Sequence, residues 1–299
     1  MPTQELSLSY LKGFHDEFEY CCEAKTDLSL VLEDILKKTK LTDAVNELLR
    51  EYTDESFDYL GALERAKALF TEGNINTFMG VHIFIAHLFA TLRERYRIHG
   101  IDDGIFVNTA KDLRYKTDEC KFLEGVYGVY SSTWYSGFFK MKIFGFGRLQ
   151  YQMRTFDTEF TLDGVELKPD TLALFVHIPR SLEPLTPEAA HASYAMAKEF
   201  FKDSYFKGAP CVICCSSWLL FPAHEYILKP ESNIRRFMSD FTRVSVKESY
   251  DYTHLWRIFE KRYKGNPDEL PADSTLRRGY IQLLKEGKPA GSALGVFIL

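Results

Sequence analysis

Between Thr171 and Leu220 the apolar positions change period twice. Leu172 to Ile178 is a short apolar run rich in β-formers, and Pro179 ends it because proline cannot donate to a sheet ladder. Ala190, Ser193, Tyr194, Ala197, Phe200 and Phe201 then recur at helical spacing, with His191, Lys198, Lys202 and Asp203 on other sides. Thr186 followed by Pro187 marks the helix start, as an N-cap hydroxyl and a proline at the first helical position. Cys211 to Leu220 is again nearly continuous, as in a strand covered on both faces. The predicted unit is strand, loop, helix, strand, most simply a right-handed crossover between parallel strands. It leaves a helix N-terminus, where anions such as phosphates bind, beside the C-terminal end of the first strand.

On either side of this unit the pattern differs. Residues 1 to about 141 read almost wholly as helix. Asp27 is a candidate cap for a segment ending near Lys38, Thr42 for another, and Thr53 for a helix burying Phe57, Leu60, Leu63, Ala66 and Phe70. Asn76 caps a long apolar helix running to Gly100, and a further helix spans Asp103 to Lys116. Ser131 to Lys142 is the last helical piece, and the short connections predict a bundle. From Ile143 the period falls to two: Leu149, Tyr151 and Met153 alternate with Arg148, Gln150, Gln152 and Arg154. Asp163-Gly164 is a hairpin signal. After the crossover unit, Ser232 or Asn233 caps a short helix, TRVSVKE alternates as a strand, and LWRIFEKRY and STLRRGYIQLLKEG read as helices. Leu294 to Leu299 is a closing strand. The fold class is α+β: an all-helical domain, 1–141, followed by a mixed β-sheet domain with flanking helices, 142–299.

Composition narrows the partners. With 37 basic against 42 acidic residues, no general attraction to nucleic acid or to an anionic membrane is implied. The most apolar helical stretch, Met79 to Leu92, is too short to span a bilayer. Six cysteines without framework spacing, and no secretory pattern at the N-terminus, point to a cytoplasmic protein. Cys211-x-x-Cys214-Cys215 looks like a metal pair, but on a strand Cys211 and Cys214 face opposite sides and cannot share a zinc ion. His82 and His87 lie about 140° apart around a helix and share no face for a metal. No metal site is expected. Arg180 and Ser181, in the loop before the predicted helix, are candidate phosphate contacts. Arg148 and Gln150 belong either to a solvated sheet face or to a substrate cleft.

GRLQYQ at 147–152, VHIP at 176–179, LTPEAAHASYAMAKEFF at 185–201, CSSWLLFP at 215–222, SNIRRF at 232–237 and LP-x-x-STLRRG at 270–279 together resemble the bacterial acyltransferase-domain proteins. Those join a helical N-terminal domain to a C-terminal domain of GNAT-like fold, the fold of coenzyme-A-dependent N-acyltransferases. The resemblance covers most of residues 103–299. It implies an acetyl-CoA or other acyl-CoA donor lying between two splayed central strands, here 171–178 and 210–218, the second carrying Ser216. It implies a pyrophosphate cradle from Arg180 through Ser181 and Thr186 to Glu188, and a small-molecule or peptide amine as acceptor. His177, at the mouth, would take the amine proton, or would hold the turn. Tyr226 or His224, after the second strand, would reprotonate the departing thiolate.

One departure from the GNAT pattern stands out. The loop RSLEPLTP has no glycine, Glu183 adds negative charge, and Pro184 and Pro187 remove two donors. That leaves a second expectation, a non-catalytic ligand-binding or regulatory module that keeps the cleft. A third is a thiol hydrolase pairing Cys215 with His177 across adjacent strands.

Overall fold

A computed structural model describes residues 5–162 and 164–299. The chain divides into two compact units between Gly145 and Phe146.

The first unit is helical: α1 (Leu8–Glu17), α2 (Cys22–Leu36), α3 (Thr39–Arg50), α4 (Tyr59–Glu72), α5 (Thr77–Ile98), α6 (Asp103–Glu124) and the single turn α7 (Ser136–Phe139). Asn76 caps α5 as expected, its side chain accepting from the Met79 N–H. Other starts differ from the sequence reading. Cys21, whose Sγ accepts from the Ala24 N–H, opens α2, so Asp27 lies inside the helix. Thr42 lies inside α3 and donates its hydroxyl to the Ile35 carbonyl at 2.9 Å. Asp58, not Thr53, caps α4, which leaves Leu60 45% exposed. α6 continues to Glu124, where Gly125 in the left-handed region stops it.

Helix α5 is buried from Met79 to Leu92 on almost every side, and its histidines are wired into the bundle. His82 Nε2 meets His15 Nε2 at 3.1 Å, and its Nδ1 donates to Thr117 Oγ1 at 2.9 Å. His87 Nδ1 donates to the Ile83 carbonyl, while its Nε2 accepts from the Ser7 N–H at 3.0 Å. Burial holds all three imidazoles neutral, with His15 lowered to about 4.

The second unit is built on a mixed sheet. Its strands are β1 (Ile143–Phe146), which spans the division, β2 (Leu149–Thr155), β3 (Phe160–Leu162), β4 (Val165–Leu167) and β5 (Leu172–His177). Helix α8 (Pro187–Phe201) leads to β6 (Val212–Ser217). Then come α9 (His224–Ile227), α10 (Asn233–Ser239), β7 (Thr242–Ser249), α11 (Trp256–Phe259), α12 (Thr275–Lys285) and β8 (Ala290–Ile298). The six-stranded order is β1-β2-β5-β6-β8-β7, with β3 and β4 paired separately. β5 and β6 run parallel across the α8 crossover, as predicted, and their outer neighbours run antiparallel. Asp163 of the hairpin signal lies outside the described residues; Leu162 stands opposite Val165 in an antiparallel pair. The segment expected as a long helix from Leu255 gives only the single-turn α11, because Glu260 turns to φ +55°. β8 starts at Ala290, earlier than Leu294, because β7 pairs along it from Ala290.

The sheet has two distinct faces. On one, α8 packs through Ser193, which donates to the Phe146 carbonyl and accepts from the Tyr151 hydroxyl at 3.0 Å. On the other, Leu162 and Leu167 of the β3–β4 pair cover Ala173, Phe175, Val212, Cys214 and Val296. Beyond the end of β6, His224 is fully buried: Nδ1 donates to the Leu219 carbonyl at 3.1 Å and Nε2 accepts from the Tyr280 hydroxyl at 3.0 Å. Among the described residues no helix is long and apolar enough to cross a membrane.

Burial lowers the His224 pKa to about 4. Its folded value lies below its unfolded one, so the stability it supports is complete above pH 6.5 and is lost as the pH falls towards 4. At most about 3 kcal/mol rides on this group. We expect the urea midpoint to fall through this window. His224→Gln, which keeps a donor and an acceptor but cannot titrate, should flatten the fall; an unaltered slope would remove His224 from the account.

Candidate active site

The parallel pairing of β5 with β6 is brief. Leu174 stands opposite Ile213 and Phe175 opposite Cys214. Beyond these, β5 continues along β2 as far as His177, opposite Gln150. β6 likewise continues along β8 as far as Ser217, opposite Ala293. The two central strands therefore separate at their C-terminal ends, each held by its outer partner. A gap opens between Val176–His177 and Cys215–Ser217.

Register assigns the lining of this gap to faces. Partners across a ladder share a face, and successive residues alternate. Gln150 and His177 share one face, and two positions past the Phe175–Cys214 pair His177 and Ser216 stand across the gap on that same face. Val176, Cys215 and Ser217 belong to the α8 face. Cys215 and His177 thus point to opposite sides of the sheet, and burial pushes the Cys215 thiol far above its ordinary value. The nucleophile–base pairing of these residues is not formed.

His177 is half-buried and meets Gln152 Oε1 through Nε2 at 3.1 Å. With the amide oxygen accepting, the imidazole proton sits on Nε2 and the basic lone pair on Nδ1. The alternation of the sequence places Gln152 two residues from Gln150 on the same side of β2, but does not reveal its contact with His177. Gln150 itself is only 2% exposed, and its Nε2 has no hydrogen-bond partner. Ser216 is exposed at the far side of the gap.

The loop after β5 is held by side chains. Arg148 reaches it from the start of β2, donating through Nε to the Glu183 carbonyl and through Nη1 to the Pro179 carbonyl, both at 2.9 Å. Arg180 pairs with Glu260, which Arg277 also approaches at 3.4 Å. Ser181 has its N–H on the Pro179 carbonyl and its hydroxyl sealed without a partner. At the start of α8, Thr186 Oγ1 accepts from the Ala189 N–H at 3.2 Å. The Glu188 carboxylate takes its own backbone N–H and the Thr186 hydroxyl, which hold its pKa below the ordinary range. The helix start expected to receive a phosphate is occupied by the chain's own groups. No sequence signal joined Arg180 to Glu260, eighty residues on.

Tyr226 stands elsewhere. It is 67% exposed on α9 and, with Ile227, Thr275, Arg278, Gln282 and Lys288, lines a groove of about 410 Å³ along α12. The structure brings Gln150, His177 and Ser216 together in one row, and Arg148, Ser181, Thr186 and Glu188 around one loop and helix start. Among the described residues no group of three His, Cys, Asp or Glu side chains converges as a metal would require.

Comparison with known proteins follows the same division of the chain. The GNAT-like C-terminal domain family matches residues 143–297, and the N-acyltransferase N-terminal domain family matches residues 12–141. No curated protein matches. Among solved structures, an acyltransferase mutant in complex with octanoyl-CoA superposes with a TM-score of 0.71 at 23% identity, over 97% of this chain and 88% of that one. An acyltransferase in complex with decanoyl-CoA and teicoplanin gives 0.67 at 24% identity, over 96% and 87%. Identities this low speak to the fold, and the two sequence matches carry the family. Matched in order along almost its whole length, the chain belongs to the acyltransferases that join an N-acyltransferase N-terminal domain to a GNAT-like C-terminal domain.

Proposed function

We propose that the protein transfers an acyl group of medium length from coenzyme A to an amine, with the thioester in the gap between β5 and β6. The observation that carries this reading is the divergence of the two parallel strands after Phe175 and Cys214. Peptide groups on the facing edges are released from strand pairing there, and the amide-bearing pantetheine arm can join them as an added strand. The octanoyl-CoA and decanoyl-CoA held by structures of the same fold support the donor and its chain length. The teicoplanin held by one of them supports an amine carried on a larger molecule.

In this reading the amine attacks the thioester carbonyl directly. His177 Nδ1, or a water held by it, takes the amine proton, while Gln152 fixes the ring and its tautomer. Collapse of the tetrahedral adduct breaks the carbon–sulfur bond, and the imidazolium returns its proton to the thiolate. Backbone groups of β6 around Ser216 orient the carbonyl. Tyr226, on the α12 groove, is given no step. Arg148 and Arg180 act on the loop that bounds the gap, through Pro179, Glu183 and Glu260.

The residues present fit the pantetheine arm better than the pyrophosphate. Thr186 and Glu188 already occupy the start of α8, so a phosphate arriving there displaces the Glu188 carboxylate. That same observation favours a second reading, a binding module that keeps the gap for another ligand. Calorimetry with octanoyl-CoA and CoA separates the two: micromolar binding supports the transferase, and none at millimolar ligand supports the module.

Two substitutions test the arrangement. His177→Ala should lower acyl transfer by about 10²–10⁴-fold while octanoyl-CoA still binds; unchanged turnover would remove the base from His177. Glu188→Ala should tighten octanoyl-CoA binding by about two- to fivefold, the effect of one charge at a helix start. Weaker binding would show that the carboxylate helps to hold the ligand and does not compete with it.

A further inference from the structure

Among the described residues of the second unit, Gln150 and Ser181 have a buried polar side-chain atom without a partner, and of the two Gln150 lies in the sheet beside the gap. It is 2% exposed, yet Nε2 donates to nothing. A buried amide without a partner is costly, and replacing it by an apolar group of the same shape removes the cost. Leucine or methionine at this position would satisfy the sheet. The register puts this unmatched donor directly opposite His177, on the same face, one strand away from the gap. Antiparallel partners stand about 5 Å apart, so a molecule touching one of these side chains is in reach of the other.

We infer that Gln150 donates a hydrogen bond to an oxygen of the amine acceptor, and that the acceptor is an amine with a carbonyl or hydroxyl oxygen on a neighbouring carbon. This rests on the acyltransferase reading and extends it to the class of acceptor. His177 faces the nitrogen and Gln150 the oxygen, so the substrate is recognised by the spacing between the two. Amino acids, peptide N-termini and amino sugars carry that pair; simple alkylamines carry only the nitrogen. A site that offers a buried donor discriminates against a molecule that leaves it unmatched. On the α8 face the gap is lined by Val176, Cys215 and Ser217, and among the described residues none of these is a buried donor without a partner, which assigns the acceptor to the face shared by Gln150, His177 and Ser216.

The test uses the full chain with octanoyl-CoA as donor and two matched acceptor pairs, alaninamide with isopropylamine and glucosamine with cyclohexylamine. CoA release is followed, and octanoyl-CoA binding is measured separately. The wild type should favour the oxygen-bearing member of at least one pair by roughly tenfold or more. The pair that shows it identifies an amino-acid or an amino-sugar source. Gln150→Leu should lose that preference, through a slower rate on the oxygen-bearing amine, and melt at a higher temperature than the wild type. Three outcomes overturn the assignment: a variant that keeps the preference, a variant that melts lower, which makes Gln150 a structural residue, and a wild type that binds octanoyl-CoA but shows no preference in either pair. A wild type that does not bind octanoyl-CoA overturns the transferase reading itself, and this proposal with it.

Discussion

Two parallel strands at the centre of a sheet part company after two registered pairs, and the rest of the second unit is arranged to make that tolerable. Separating paired strands exposes peptide groups that must find other partners. Here each strand stays anchored on its far side, β5 through a run of pairs to β2 that reaches Gln150, and β6 through a run to β8 that reaches Ala293. The α8 crossover holds one face through Ser193, and the β3–β4 pair seals the lower part of the other around Phe175 and Cys214. The gap is therefore an opening between two edges, each paired on its far side.

The loop that closes this opening shows a different solution from glycine-rich turns. With prolines at positions 179, 184 and 187, its backbone has few donors and little freedom. Side chains from other elements fix it: Arg148 binds two of its carbonyls, and Glu260 draws Arg180 towards α12. At the start of α8, Thr186 and Glu188 neutralise the partial positive charge that would otherwise attract an anion. The result is a rim fixed by side chains, with a carboxylate already seated at the helix start.

Burial sorts the histidines by task. His82, His87 and His224 are sealed in cores with both ring nitrogens engaged by carbonyls, hydroxyls, an amide or another imidazole, His15 is held through Nε2, and desolvation keeps all four neutral. They act as rigid polar pins between helices. His177 differs because it ends a strand at the gap, half-buried, with a glutamine fixing its orientation. The proton transfer we propose needs a group both oriented and reachable, and His177 combines the two.

Local chemistry was enough to read the crossover. Proline after β5, Thr186-Pro187 at the start of α8 and the apolar run of β6 are signals within a few residues, and the parallel pair they predicted is present. Asn76 was legible as a cap for the same reason, and of the two candidates Ser232 and Asn233 the structure takes Ser232. The motifs also carried the family, since they recur in order along the chain. Where capping residues compete five or six residues apart, as at Cys21 against Asp27 or Asp58 against Thr53, packing chose the helix start. The faces of the gap were beyond the sequence because period two says that neighbours alternate, not which partner each residue meets. Only the register set Gln150 beside His177 and Cys215 behind it. Likewise the fate of Arg180 depended on Glu260 arriving from eighty residues away, and ion pairs of that range are written in the fold.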